Sequence, residues 1–148
     1  MWRYGAEPDS GNARTEVDRV GGNLTADIEG MSIAYGKGGA GSLFVSSQGN
    51  NSYAVYSRGA ANEFVRGFRI VGGNGIDGTS ATDGIDVTTR SLGRLFPHGV
   101  FVAQDDANGA RTQNFKLVPL QSIVRTLGAE SPAAAAVKEE SGVLAVPS

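Results

Sequence analysis

At 148 residues and a net charge of −2, the chain is long enough for one domain with a sizeable core and lacks the basic surface that a nucleic-acid binder needs. It has no cysteine, which excludes a disulfide framework and a thiolate metal site, and no apolar run near the ~18 residues of a membrane span. Its 22 glycines are about twice the usual share and, set between short apolar runs, predict an all-β, turn-rich architecture.

Met1-Trp2-Arg3-Tyr4 has no basic stretch leading into an apolar one, so the reading expects no signal peptide in this chain. It reads as the tail of a strand entered midway. Residues 5–14 are turn chemistry throughout and predict a loop. Residues 16–20 alternate charged and apolar side chains, which fits a short strand with one wet face. In the extended segment that follows, Asp27 and Glu29 stand two residues apart, so both carboxylates can face one side. Two solvated loop acids are the alternative reading of that pair.

Four strand-like runs come next, at 31–35, 42–47, 52–58 and 63–70, rich in β-branched and aromatic residues and separated by turn residues. The glycine-rich connector at 36–41 is read as a hairpin loop, because the Gly-Lys-Ser/Thr ending of a phosphate-cradling loop is missing. Arg58, Arg66, Arg69 and Lys116 are read as solvated strand faces rather than phosphate contacts. The lone histidine, His98, is read as a surface turn residue.

The segment 76–87 holds Asp77, Asp83 and Asp86, and two of them precede glycine directly. Asp-Gly pairs favour turns with positive φ. Such turns gather carboxylate and carbonyl oxygens, the ligands that a hard cation such as Ca²⁺ requires. Asp105 and Asp106 form a further acidic pair downstream.

Beyond this stretch the pattern recurs. Residues 99–104 echo 42–47, and 114–118 echo 52–56. A drifting repeat of a four-stranded unit at about 50 residues or a little more is what a β-propeller blade produces. Propellers close with about four to eight blades. The chain is expected to cover about two to two and a half of them, as part of a longer ring. One helix is predicted over 119–128, with Leu120, Ile123, Val124 and Leu127 on one face and Gly128 at its stop. The predicted organisation is a partial propeller over 1–128 and a flexible, alanine-rich tail over 129–148.

Several ordered segments carry a resemblance: Asp27-Ile28-Glu29-Gly30, the run from Ser46 through Gly49 to Tyr56, the run from Asp77 to Val87, Phe101-Val102-Ala103-Gln104-Asp105, and Gln113-Asn114-Phe115-Lys116. Together they make the chain similar to β-propeller phytases over roughly residues 2–127. The resemblance implies a six-bladed propeller that uses several bound Ca²⁺ ions to hydrolyse phosphomonoesters of phytate, or of calcium phytate. It implies that this chain is the C-terminal portion and that missing N-terminal blades supply further ligands. It also implies a secreted or periplasmic location.

Carried over position by position, the resemblance assigns Asp27, Glu29, Gln48 and Asp83 to a catalytic calcium cluster, with Asp27, Glu29 and Asp83 as its catalytic residues. It assigns Asp77, the carbonyl of Gly78, Asp105 and Asn108 to a tighter, structural calcium site. Ala107 stands where the family commonly has an acid, which removes one carboxylate from that site and should weaken it. The function expected is a calcium-dependent phytase in which a calcium-bound water attacks phosphorus, the chain alone being incomplete and inactive. The alternative is a non-catalytic, calcium-stabilised propeller segment acting as a binding or scaffold module. A calcium-dependent lactonase of the same architecture is disfavoured by the 48–50 and 77–87 segments.

Overall fold

In the computed structural model of the protein, residues 1–128 are described, so the tail expected over 129–148 lies outside the described residues. Those residues form three antiparallel sheets and one α-helix. A two-stranded sheet pairs β1 (Trp2–Tyr4) with β2 (Arg14–Glu16). A four-stranded sheet runs in order through β3 (Ile28–Tyr35), β4 (Gly41–Ser47), β5 (Ser52–Ser57) and β6 (Phe64–Phe68). A three-stranded sheet follows as β7 (Ile85–Thr88), β8 (Val100–Asp105) and β9 (Asn114–Pro119). Helix α1 (Leu120–Leu127) continues directly from β9.

The four-stranded sheet is buried on both faces, which explains why its central strands read as nearly continuous apolar runs. Side chains alternate across a strand. Phe44, Tyr53 and Val55 therefore join one cluster, with Phe68, Phe101, Ala103 and the apolar face of α1. Val45, Ala54 and Tyr56 point the other way and pack with Leu24, Val17 and Met1 of the N-terminal segment. Phe101 is fully buried, and the rings of Phe44, Tyr53 and Phe68 lie 5.1–5.7 Å from its centroid, the spacing of favourable aromatic pairs. The helix prediction is borne out: Leu120, Ile123, Val124 and Leu127 form the buried stripe.

The two larger sheets meet through their first strands, β3 and β7. Ser32 Oγ donates to Asp86 Oδ1 at 2.7 Å, Thr89 Oγ1 donates to the Tyr35 carbonyl at 3.0 Å, and Ser46 Oγ donates to the Thr82 carbonyl at 2.6 Å. The second unit has three strands among the described residues where the first has four.

Two expectations need correction. The strand read at 16–20 lies earlier, at Arg14–Glu16, because Asp18 turns inward as a buried anchor. The acidic stretch 76–87 runs into the strand β7. Neither Gly78 nor Gly84 has positive φ; the left-handed residue of that stretch is Ala81 (φ 42). Gly78 is required for a different reason: a Cβ there would lie 2.6 Å from the Ile70 carbonyl oxygen.

Candidate functional site

Strand direction brings the expected ligands to one end of the fold. β3 begins beside the end of β4, with Ile28 paired to Ser47, and β7 begins beside the end of β8, with Ile85 paired to Ala103. The two ends are then pressed together at Gly30. A Cβ there would sit 2.7 Å from both the Asp83 carbonyl oxygen and the Ile85 nitrogen, so only glycine allows this approach. Asp27, Glu29, Gln48 and Asp83 therefore occupy neighbouring backbone positions. Asp27, Glu29 and Asp83 are exposed, and Gln48 is half-buried.

Asp27, Gln48 and Asp83 are held from behind. Gln48 N–H donates to the Asp27 carbonyl at 2.9 Å. Ser47 Oγ accepts from Thr25 N–H at 2.8 Å and donates to the Thr25 carbonyl at 3.2 Å. Gln48 Nε2 donates to Asp83 Oδ1 at 2.5 Å, and the Asp83 N–H donates to Gln104 Oε1 at 2.8 Å. Further back, Asp18 fixes the start of the segment that leads to Asp27. Its carboxylate accepts from Tyr56 OH (2.7 Å), Asn23 Nδ2 (2.9 Å) and the backbone N–H groups of Arg19 and Asn23. Burial pushes the Asp18 carboxyl up, but these four donors outweigh it and hold it below the ordinary carboxylate value. Burial and the bond to Asp18 push the Tyr56 hydroxyl well above the usual tyrosine value.

The second expected group is arranged otherwise. Asp105 is fully buried, and its Oδ1 accepts from Ser80 N–H at 3.0 Å and Ser80 Oγ at 3.2 Å. Lys116 lies between it and Asp77, with Nζ 3.0 Å from Asp105 Oδ2 and 2.5 Å from Asp77 Oδ1. The hydrogen bond to Lys116 lowers the Asp77 pKa, and the same bond raises that of Lys116. Asn108 turns its Nδ2 to the Thr112 carbonyl at 3.2 Å. Reading Lys116 as a solvated strand residue is thus corrected: it is buried and doubly ion-paired. In sequence the Phe115-Lys116-Leu117 alternation points the lysine outward, whereas on β9 it is Phe115 and Leu117 that face outward.

These residues divide on whether they suit calcium. The Asp27, Glu29, Gln48 and Asp83 group offers three exposed carboxylates and a half-buried amide oxygen at one end of two sheets, and in donor chemistry it fits. Among the described residues, however, no three His, Cys, Asp or Glu side chains converge tightly enough to hold a metal ion. The oxygens of this group do not by themselves converge on the single point that a calcium ion with its six to eight ligands requires. The Asp77 and Asp105 group does not fit as it stands, since an ammonium already lies between its carboxylates.

Comparison with known proteins identifies the setting. The family model described as Phytase matches residues 1–139. A 3-phytase from Bacillus subtilis (strain 168) is 50% identical over 133 residues, a match covering 86% of this chain and 35% of the relative. The chain therefore spans about a third of the length of that curated relative. A match of this extent and identity places the chain in the phytase family.

Proposed function

We propose that this chain forms two neighbouring blades of a β-propeller and supplies part of the active site of a calcium-dependent phytase. The observation that carries the reading is the junction at Gly30, where two sheets of a phytase-family chain are locked so that Asp27, Glu29, Gln48 and Asp83 share one end. A four-stranded sheet joined through its first strand to the first strand of the next sheet has the arrangement of successive blades around an axis.

In this reading Asp27, Glu29, Gln48 and Asp83 hold calcium. Bound there, calcium would reverse the local negative charge for a phosphomonoester and lower the pKa of an attacking water. The chain's own groups prepare the site. Gln48 orients the Asp83 carboxylate through its amide. Gln104 fixes the Asp83 backbone. The Gln48 N–H holds the Asp27 carbonyl, which limits how far that carboxylate can wander. Such preorganisation matters because a ligand set already in place loses less freedom on binding.

Further blades complete the ligand set in this proposal, and the 148-residue chain by itself turns over no phytate. A secreted or periplasmic setting belongs to the same reading. The test is phosphate release from calcium phytate by the assembled propeller, with and without EGTA. Activity abolished by the chelator and restored by calcium supports the reading. Turnover that survives EGTA refutes it, and calcium-dependent melting without hydrolysis favours a calcium-stabilised binding segment instead.

A further inference from the structure

The buried charge cluster behind β9 does something the family-based expectation did not foresee. Asp105 is a carboxylate with no exposed surface, and a buried charge is tolerated only when paired and hydrogen-bonded. Ser80 serves one of its oxygens, and the Lys116 ammonium lies 3.0 Å from the other. The same ammonium reaches outward to Asp77, whose side chain is 45% exposed. One cation thus ties the loop bearing Asp77 to the sheet bearing Asp105.

The burial pattern of β9 agrees with this placement of Lys116. An ordinary half-buried strand turns apolar residues inward and charged ones to water. Here Lys116 is 8% exposed while its neighbours Phe115 and Leu117 are 66% and 55% exposed. The lysine is in register with Ala103 of β8, two residues before Asp105 on that strand. The inward position is held by a charge because two opposite charges wait there.

We propose that Lys116 is the built-in cation of the Asp77–Asp105 pair, so that its ammonium and a divalent cation compete for the same two carboxylates. The loop at Asp77 is then ordered without metal, and a divalent ion at this place must displace a tethered charge. Removing the ammonium leaves two carboxylates without their shared cation, and hard oxygen donors of this kind suit calcium. This inference concerns cation occupancy alone and does not depend on phytate hydrolysis.

The test is calorimetric titration of calcium into the full chain and into Lys116→Met, alongside thermal melting of each with and without calcium. Lys116→Met should bind calcium at least tenfold more tightly at one site, melt lower than wild type in EGTA, and recover when calcium is added. Asp77→Asn in the Lys116→Met background should abolish that gain, which maps the site. Calcium binding by Lys116→Met within twofold of wild type would overturn the proposal, as would a gain that persists in the double variant. If Lys116→Met does not fold in EGTA, circular dichroism on adding calcium decides. Calcium-induced folding supports competition, and failure of both Lys116→Met and Lys116→Gln to fold at saturating calcium contradicts it.

Discussion

Replacing Gly49 by alanine tests how tightly the ligand-bearing end is built. A Cβ at this position would lie 1.8 Å from the Ala26 carbonyl oxygen and 3.2 Å from Thr25 Cγ2. Ordinary carbon–oxygen contacts begin near 3.3 Å, so the 25–27 segment must retreat by about 1.5 Å. That retreat strains the Gln48 N–H bond to the Asp27 carbonyl and the paired bonds between Ser47 and Thr25. Loss of one such bond costs about 1 kcal/mol, and forcing a methyl into packed backbone adds about 1–3 kcal/mol. Gly49→Ala should therefore destabilise the chain by about 2–4 kcal/mol. Urea unfolding measures this as a lower midpoint with an unchanged slope. Gly59→Ala is the control, because a Cβ there meets only Ser57 Oγ at 4.0 Å; it should change stability by less than about 0.5 kcal/mol. A Gly49→Ala variant as stable as the Gly59→Ala control would refute this account of the turn.

Asp18→Ala should cost about 3 kcal/mol in urea unfolding, because it strands the fully buried Tyr56 hydroxyl. Asp18 also sets a pH dependence: its folded pKa lies below the ordinary value, so its stabilising contribution is complete above about pH 4 and is lost as pH falls through the lowered folded value. Asp18→Asn should flatten the stability profile below about pH 4, and a wild-type profile already flat there would contradict the assignment. Phe101→Ala, which removes the ring at the centre of the aromatic cluster, should cost about 3–5 kcal/mol in the same assay. A loss under about 1 kcal/mol would mean that the two sheets and α1 do not share one core.

The sequence was most legible where periodicity and local chemistry agreed. The runs at 42–47, 52–58 and 114–118 became β4, β5 and β9 within a residue or two, because β-branched and aromatic residues stood between clear turn residues. The helix was legible from its apolar stripe and terminal glycine. Asp18 was hidden because a single aspartate in a charged segment looks solvated; its partner Tyr56 lies 38 residues away. Lys116 was hidden for the same reason, with Asp77 39 residues distant. Its apolar neighbours Phe115 and Leu117 misdirected the reading, since such alternation places the lysine outward, and in the structure they are the exposed residues. The close approach at Gly30 was illegible too, since a glycine required by another strand's backbone looks in sequence like any other turn glycine.

The central claim is that Asp27, Glu29 and Asp83 grip a divalent cation that in turn serves phosphate. The most direct measurement is the calcium concentration needed for half-maximal phosphate release from phytate by the assembled propeller, compared with Asp27→Asn, Glu29→Gln and Asp83→Asn. The account predicts that each variant needs at least tenfold more calcium than wild type, since affinity follows ligand charge. Three variants that turn over phytate at the wild-type calcium requirement would contradict it.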